Sequence, residues 1–275
     1  MAGEIVEKVR NAVIEMAHDV RMLVAMTAET VSETLQASLK GGKDLAMTIE
    51  TAAADVISGA MKAAAQLQSD VATVTVNSVD GIIKGGWQTG SLGMGVIRGS
   101  VKGTVTGAAQ EDCEISVVIR SAMVGAMKGT QNMALPVETI VAEAATGAML
   151  GVKDAGCDMR QASEDTVSGA LGGILITSGQ LERIVSSVTE ANIQATYKTG
   201  GDVAEVTRAS LFSVAQVCRA LGVPVDEVAS AAADGAMKAA NEIGGHTGQM
   251  VHDASKQALV GIKIIAIDIA DNIGE

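Results

Sequence analysis

Apolar residues recur along the chain at spacings of three and four, which is the period of one face of an α-helix. After Pro136 this apolar face consists of Val137, Ile140, Val141, Ala144, Ala148 and Val152. It returns further along the chain as Leu181, Ile184, Val185 and Val188, and again as Val225, Val228, Ala229, Ala232 and Ala236. The pattern predicts amphipathic helices that repeat along the chain.

A small residue also recurs about every 22 residues within the helical pattern, a period in the range of repeat proteins. Seven of these positions are glycine, namely Gly59, Gly81, Gly103, Gly125, Gly147, Gly169 and Gly235, and the other interior ones hold Ala37, Ala191 and Ser213. Four residues further on, the same frame contains Gly41, Gly85, Gly107, Gly129, Gly151, Gly173 and Gly261. The chain is therefore predicted to be a repeat protein.

Helix-breaking residues show whether these units are one long rod or separate helices. A 22-residue period fits a continuous right-handed coiled coil of about 3.67 residues per turn. However, Pro136 and Pro224 occupy the same position of the repeat, where proline would interrupt such a rod. Glycines stand just before that position at residues 90, 156, 179, 200, 201, 222, 244 and 245. Since glycine ends helices and proline begins them, we predict twelve helices of about 18 residues. Their predicted starts lie near residues 4, 26, 48, 70, 92, 114, 136, 158, 180, 202, 224 and 246.

The connections predict how these helices are arranged. Short turns make successive helices antiparallel, and carboxylates occur near alternate starts, at Glu50, Glu138, Glu182 and Asp226, where the helix dipole favours them. We therefore predict an all-α solenoid of 44-residue helical hairpins. Residues 1–275 form one domain, with cap-like helices over 1–47, regular repeats over 48–245 and a C-terminal helix over 246–275.

The paired glycines are expected to be helix-packing positions. Glycine inside a helix is unfavourable by about 1 kcal/mol relative to alanine, whereas two glycines four residues apart let another backbone approach closely. These packing positions are Gly59, Gly81, Gly85, Gly103, Gly107, Gly125, Gly129, Gly147, Gly151, Gly169, Gly173 and Gly235. The alternative is that the same grooves line a cleft for an extended apolar ligand.

Between the two glycines stands a large apolar residue in most units. This position holds Met127, Met149 and Met237, and elsewhere Met61, Ile83, Leu171, Ile193 and Leu259. Methionine is deformable and fits irregular gaps. The ladder of these side chains is either interior packing or an adaptable surface for a hydrophobic partner.

Composition adds an expectation of self-association. Apolar residues make up 48% of the chain although it has only three aromatic side chains, and its mean hydropathy is +0.31. Such a value is high for a solenoid with two solvent-exposed faces, which favours a surface that is covered by other copies or by a ligand. Self-association is the default expectation. A net charge of −12 with scattered basic residues argues against nucleic acid and anionic membranes. The longest uncharged stretch, 166–181, is too short to cross a bilayer.

The residues that carry chemistry form no recognisable constellation. The three cysteines, Cys113, Cys157 and Cys218, lack metal-ligand or redox spacing, which favours a reducing cytoplasm. The three histidines match no zinc motif, and the glycine pairs lack the lysine of a phosphate-binding loop. Acidic pairs such as Glu164 and Asp165 are expected to be solvated. We expect no catalytic residue, no metal and no cofactor.

Two kinds of element alternate along the chain and give it a resemblance to known proteins. One is Gly125-Ala126-Met127-Lys128-Gly129, and the other is a helix start such as Pro136-Val137-Glu138-Thr139-Ile140-Val141. Over about residues 48–245 it resembles bacterial proteins of unknown role that are built from glycine- and alanine-rich paired-helix repeats. The resemblance implies a helical repeat fold and transfers no catalytic residue. The unit with Ala191, Asn192 and Ala195 departs from this pattern.

These observations favour a non-enzymatic structural or scaffold protein that self-associates through flat apolar repeat surfaces into an oligomer or filament. The runner-up is an amphipathic repeat protein that binds a lipid, a granule surface or an apolar ligand. An enzyme would need a cofactor that supplies the chemistry itself.

Overall fold

The computed structural model describes the backbone of residues 49–66, 70–88, 94–173 and 178–272, and a few positions before residue 49. These ranges contain no strand. They form ten helices: α1 (Ile49–Gln66), α2 (Val71–Gln88), α3 (Met94–Gln110), α4 (Ile115–Thr130), α5 (Val137–Ala155), α6 (Met159–Gly172), α7 (Ser178–Lys198), α8 (Val203–Leu221), α9 (Val225–Ile243) and α10 (Gly245–Asn272). Each start lies within two residues of its predicted position, so the all-α helical repeat is confirmed. The two units predicted near residues 4 and 26 lie mostly outside the described residues.

Local sequence signals explain where the helices begin and end. Gly156 ends α5 and Gly222 ends α8, both with a φ of 68°, a left-handed conformation that favours glycine. The side chain of Asp158 accepts hydrogen bonds from the backbone N–H groups of Arg160 and Gln161 at the start of α6. Asp202 accepts one in the same way at the start of α8. Each N-cap satisfies backbone donors that the first helical turn leaves free.

The helices form two layers. From α1 to α9 each helix packs chiefly against the helices two places away in chain order, and α10 contacts both α8 and α9 extensively. The odd-numbered helices α1, α3, α5, α7 and α9 therefore form one layer, and the even-numbered helices form the other. Successive helices are joined by short turns and contact each other across the layers. This is the predicted stack of 44-residue hairpins.

The core lies between the two layers. One continuous hydrophobic cluster extends from Ala53 in α1 to Ile262 in α10. The predicted apolar face of α5 is largely buried within it, with Ile140, Val141 and Ala148 almost inaccessible. Since alanine and valine dominate this cluster, the layers pack closely. Among the described helices, none combines the length and apolar character needed to cross a bilayer.

Candidate interaction surfaces

Most glycine pairs seat each helix on the helix two before it. A Cβ added at Gly107 of α3 would lie 2.8 Å from the Cα of Ser58 in α1, and one at Gly151 of α5 would lie 2.9 Å from the carbonyl oxygen of Lys102 in α3. Real Cβ atoms do not come so close, so the backbones meet where side chains are missing. In both pairs the same interval along the chain separates the glycine from its neighbour.

This interval recurs along the stack. It relates Gly103 to Ala54, Gly125 to Val76, Gly129 to Asp80, Gly147 to Arg98, Gly169 to Arg120 and Gly235 to Ser186. Gly85 faces Ser32, Gly59 and Gly81 are buried, and the exposed Gly173 faces Met127. Apart from Gly173, the glycines with described neighbours therefore lie against this chain's own helices, where an extended ligand has no access.

The methionines between the glycines have two kinds of environment. Met149 is fully buried in the core, as are Met61, Ile83, Leu171 and Ile193. Met127 and Met237 are only partly buried, and each lines an open crevice on the surface. Part of the ladder is thus interior packing, and these two members are accessible to a partner.

Two adjoining grooves cross the exposed face of the odd-numbered layer. The first, of about 300 Å³, lies between α5 and α7 and is lined by Leu150, Ala191 and Ala195. The second, of about 570 Å³, lies between α7 and α9 and includes Met237. Ser187 belongs to both. The first groove occurs where α7 has alanines in place of the glycine pair, because two methyl groups prevent a close approach to α5.

Charges of both signs line these grooves. Arg98 pairs with Glu143 at 2.6 Å, and Arg183 lies 3.9 Å from Glu138. Burial raises the pKa of Glu190, and the nearby carboxylate of Glu242 raises it further. Side chains that form salt bridges and hydrogen bonds of this kind can bind a polar segment of a partner. Among the described residues that line the grooves, we find no nucleophile hydrogen-bonded to a base.

An apolar crevice of about 610 Å³ lies at one edge of the stack, next to the turn between α4 and α5. Its lining includes Met127, Met133, Leu135, Val137 and Ile140, and one cation, Lys128. All of these apolar side chains but Ile140 are partly exposed. This crevice is the feature of the described surface that best fits an apolar ligand.

Exposed apolar side chains concentrate in the last two even-numbered helices. Six large hydrophobic residues are exposed within the described chain, and four of them lie in α8 and α10: Phe212, Leu221, Met250 and Val260. Phe212 packs over Gly261, with its Cζ 3.3 Å from the position of an added Cβ. We call Phe212, Val260 and Gly261, the glycine on which the Phe212 ring packs, the C-terminal patch.

The C-terminal patch interrupts a charged surface. Val260 is 60% exposed, and the corresponding positions of α2 and α4 in the repeat frame hold the exposed Lys84 and Lys128. In α8 the corresponding residue is the exposed Gln216. At this position the even-numbered layer thus changes from lysine in α2 and α4, through the exposed Gly172 in α6 and Gln216 in α8, to valine in α10.

No protein-family model matches the chain, and a search of curated proteins finds no significant match. The resemblance to bacterial paired-helix repeat proteins therefore rests on the repeat pattern described above. Function must be argued from the surfaces of this molecule.

The histidines and acidic residues offer no metal site in the part of the chain that the structure describes. His252 lies 3.4 Å from Asp253 on the exposed side of α10, and His246 is exposed at the start of that helix. His18 lies outside the described residues.

The cysteines differ in their expected reactivity. All three are free thiols, and burial raises the pKa of Cys218 to about 11. Burial and the neighbouring Glu111 and Asp112 also raise the pKa of the partly exposed Cys113. Since the thiolate is the nucleophile, we expect iodoacetamide at pH 8 to leave Cys218 unmodified in the folded protein.

Mass spectrometry after timed labelling would measure this protection, with urea-unfolded protein as the control in which all three cysteines react. Because burial disfavours the Cys218 thiolate in the folded protein, stability should also fall as the pH rises from about 9 towards 11, whereas at neutral pH the thiol is protonated in both states and the shift contributes nothing. Labelling of native Cys218 as fast as Cys157 would contradict the buried packing of α8.

Proposed function

We propose that this protein is a non-catalytic scaffold whose helical stack associates with further copies of itself into an oligomer or filament. The observation that carries this proposal is the C-terminal patch, because it exposes Phe212 and Val260 on the even-numbered layer, and Val260 stands where α2 and α4 carry lysine. Clustered exposed apolar surface is typical of protein interfaces. We further propose a reducing compartment such as the cytoplasm, in keeping with three free cysteines.

The glycine faces contribute to this assembly only indirectly. Because most glycines with described neighbours lie against this chain's own backbone, they build the rod and leave its outer faces to contact partners. The glycine faces are therefore occupied within the chain and are not the flat apolar surfaces through which copies would associate. Association is assigned instead to the C-terminal end of the even-numbered layer.

Size and charge predict a weak interface whose strength depends on the salt concentration. Two adjacent helices about 9 Å apart and about 30 Å long present roughly 500 Å², somewhat below the approximately 800 Å² per partner of a standard interface. Repulsion between copies that each carry a net charge of −12 opposes association and is screened by salt. We therefore expect an assembly that is stronger at high ionic strength.

The decisive variant is Val260→Lys, which restores the residue type found at the equivalent positions of α2 and α4. We expect it to raise the dissociation constant of self-association by about tenfold or more, since a charge at the centre of an apolar contact removes about 1.4 kcal/mol or more. Analytical ultracentrifugation over a concentration series, at low and high salt, would measure the change. Electron microscopy of the wild-type particles would distinguish a closed oligomer from a filament.

The control is Asn132→Lys, which adds the same charge at an exposed turn between α4 and α5 and should leave association unchanged within about twofold. A wild-type protein that stays monomeric at high concentration would overturn the proposal. If native mass spectrometry of that monomer showed a retained lipid, the apolar crevice beside Met127 and Met133 would support the alternative, binding of an apolar ligand.

A further inference from the structure

The contact between glycine pairs and a neighbouring helix does not by itself fix the register of the stack. Gly107 lies against Ser58, and ten glycines, Gly107 included, have a neighbour at the interval that separates these two residues. At the same interval Gly85 would lie against Gln36, yet it lies against Ser32. The difference of four residues is about one helical turn. Smooth glycine grooves therefore accept a neighbour in two registers within this one molecule.

Asn192 of α7 occupies a core position where most of the other described helices hold alanine. The equivalent residues of α4, α5 and α6 are Ala126, Ala148 and Ala170, and all are buried. Asn192 is itself completely inaccessible to solvent. A buried amide has four hydrogen-bonding sites to satisfy, so its surroundings must be arranged for it.

The neighbouring helices supply the partners of this amide. Asn192 Nδ2 donates to Thr166 Oγ1 at 2.9 Å and lies 3.3 Å from the carbonyl oxygen of Ser163, both in α6. It also lies 3.2 Å from Ser210 Oγ in α8, and Thr166 Oγ1 lies 3.0 Å from Asn192 Oδ1. Thr166 and Ser210 are completely buried. The amide therefore connects α7 to the helices that precede and follow it.

A shift of α7 by one helical turn would remove these partners. Against α6, the amide would then face the level of Ala162 or Ala170 instead of Thr166. Against α8, it would face the level of Val206 or Val214 instead of Ser210. All four are buried apolar residues. The native register is thus the one that supplies side-chain partners for the amide, and a shifted register leaves it unsatisfied in the core.

We propose that Asn192 sets the register of α7 within the stack, at the helix where Ala191 and Ala195 replace the glycine pair. Without that pair, α7 lacks the glycines that let most other helices approach the helix two before them closely. The amide replaces this constraint by penalising the shifted arrangements, as single buried asparagines do in coiled coils. Its role is to exclude wrong pairings of similar repeats rather than to add stability.

The test is Asn192→Ala, which installs the residue that α4, α5 and α6 already accept at this position. We expect the urea midpoint of unfolding to be unchanged or higher. Hydrogen exchange measured by mass spectrometry should show at least a tenfold loss of amide protection in α6, α7 and α8, with two isotopic envelopes in place of one. Asn241→Ala, which makes the same change at an exposed position of α9, should leave the single envelope intact.

A single envelope in Asn192→Ala would overturn the proposal whatever the urea midpoint of that variant, because the amide would then exclude no alternative register. If that variant does not fold, Thr166→Val tests the proposal instead. It removes one partner of the amide while keeping the shape of the side chain, and it should produce the second envelope in the same three helices. A single envelope in Thr166→Val would likewise overturn the assignment.

Discussion

Replacement of Gly147 by alanine is expected to destabilise the centre of the stack by roughly 3 kcal/mol, at the upper end of the range for overpacked cores. The added Cβ would overlap the carbonyl oxygen of Arg98 in α3 and lie 3.1 Å from its carbonyl carbon. A clash with backbone cannot be relieved by a change of rotamer, so α5 must move away from α3. The loss should appear in urea unfolding and in the amide exchange of α3 and α5.

Gly172→Ala provides the matched control for this substitution. Gly172 is the exposed last residue of α6, and an added Cβ would meet no atom within 4 Å. Alanine is the better helix former by about 1 kcal/mol, so this variant should be equally stable or slightly more stable. If both variants unfolded at the same urea concentration, the close approach of α3 and α5 would be wrong.

The difference between these two glycines shows how far the sequence can predict the fold. Helix starts depend on local signals such as Pro136 and the helix-ending Gly222 before Pro224, and the starts were predicted within two residues. The register of Gly147 indicated a close helix contact but not which helix makes it. Its partner lies two helices earlier, in the same layer, and this pairing results from how the hairpins stack rather than from any local pattern.

Polar residues in the interior were harder to interpret. Asp165 was expected to be solvated, and this prediction was wrong: its carboxylate is almost completely buried and pairs with Arg120 at 2.6 Å. A signal for the pair exists, because Arg98 and Glu143 form the same kind of ion pair one unit earlier in the frame. The two arginines occupy the same position of the repeat, and so do the two carboxylates. Comparing units would therefore have linked each arginine to the carboxylate 45 residues later.

The N-caps and Asn192 were missed for a related reason. Carboxylates were noted at the starts of alternate units such as Glu138, whereas the side chains that cap helices are Asp70, Asp158 and Asp202 at the intervening starts. Asn192 was read only as a departure from the glycine pattern. Whether a polar residue in a repeat is exposed, capping or buried depends on its neighbours in other repeats, which a single unit does not reveal.

The two equivalent ion pairs lead to a second large expected effect. Arg120→Ala should destabilise the protein by about 3 kcal/mol, because it leaves the Asp165 carboxylate buried without its cation. The remaining neighbour, Gln161, has its Nε2 3.4 Å from Asp165 Oδ2 and cannot supply the missing charge. The Arg120 side chain itself is 43% exposed, so the loss should not exceed the lower end of the range for fully buried pairs. Urea unfolding would measure it.

Arg98→Ala is the matched comparison, since it removes an arginine from the same repeat position, where the ion-pair distance is also 2.6 Å. Its partner Glu143 keeps 19% of its side-chain surface in water, against 3% for Asp165. Water can therefore solvate the Glu143 carboxylate after the arginine is lost, and we expect a decrease of only about 1 kcal/mol. Equal losses in the two variants would mean that burial of the carboxylate does not govern the effect. The larger loss at Arg120 would instead show that the even-numbered layer depends on a buried charge pair between α4 and α6, which the apolar repeat pattern does not encode.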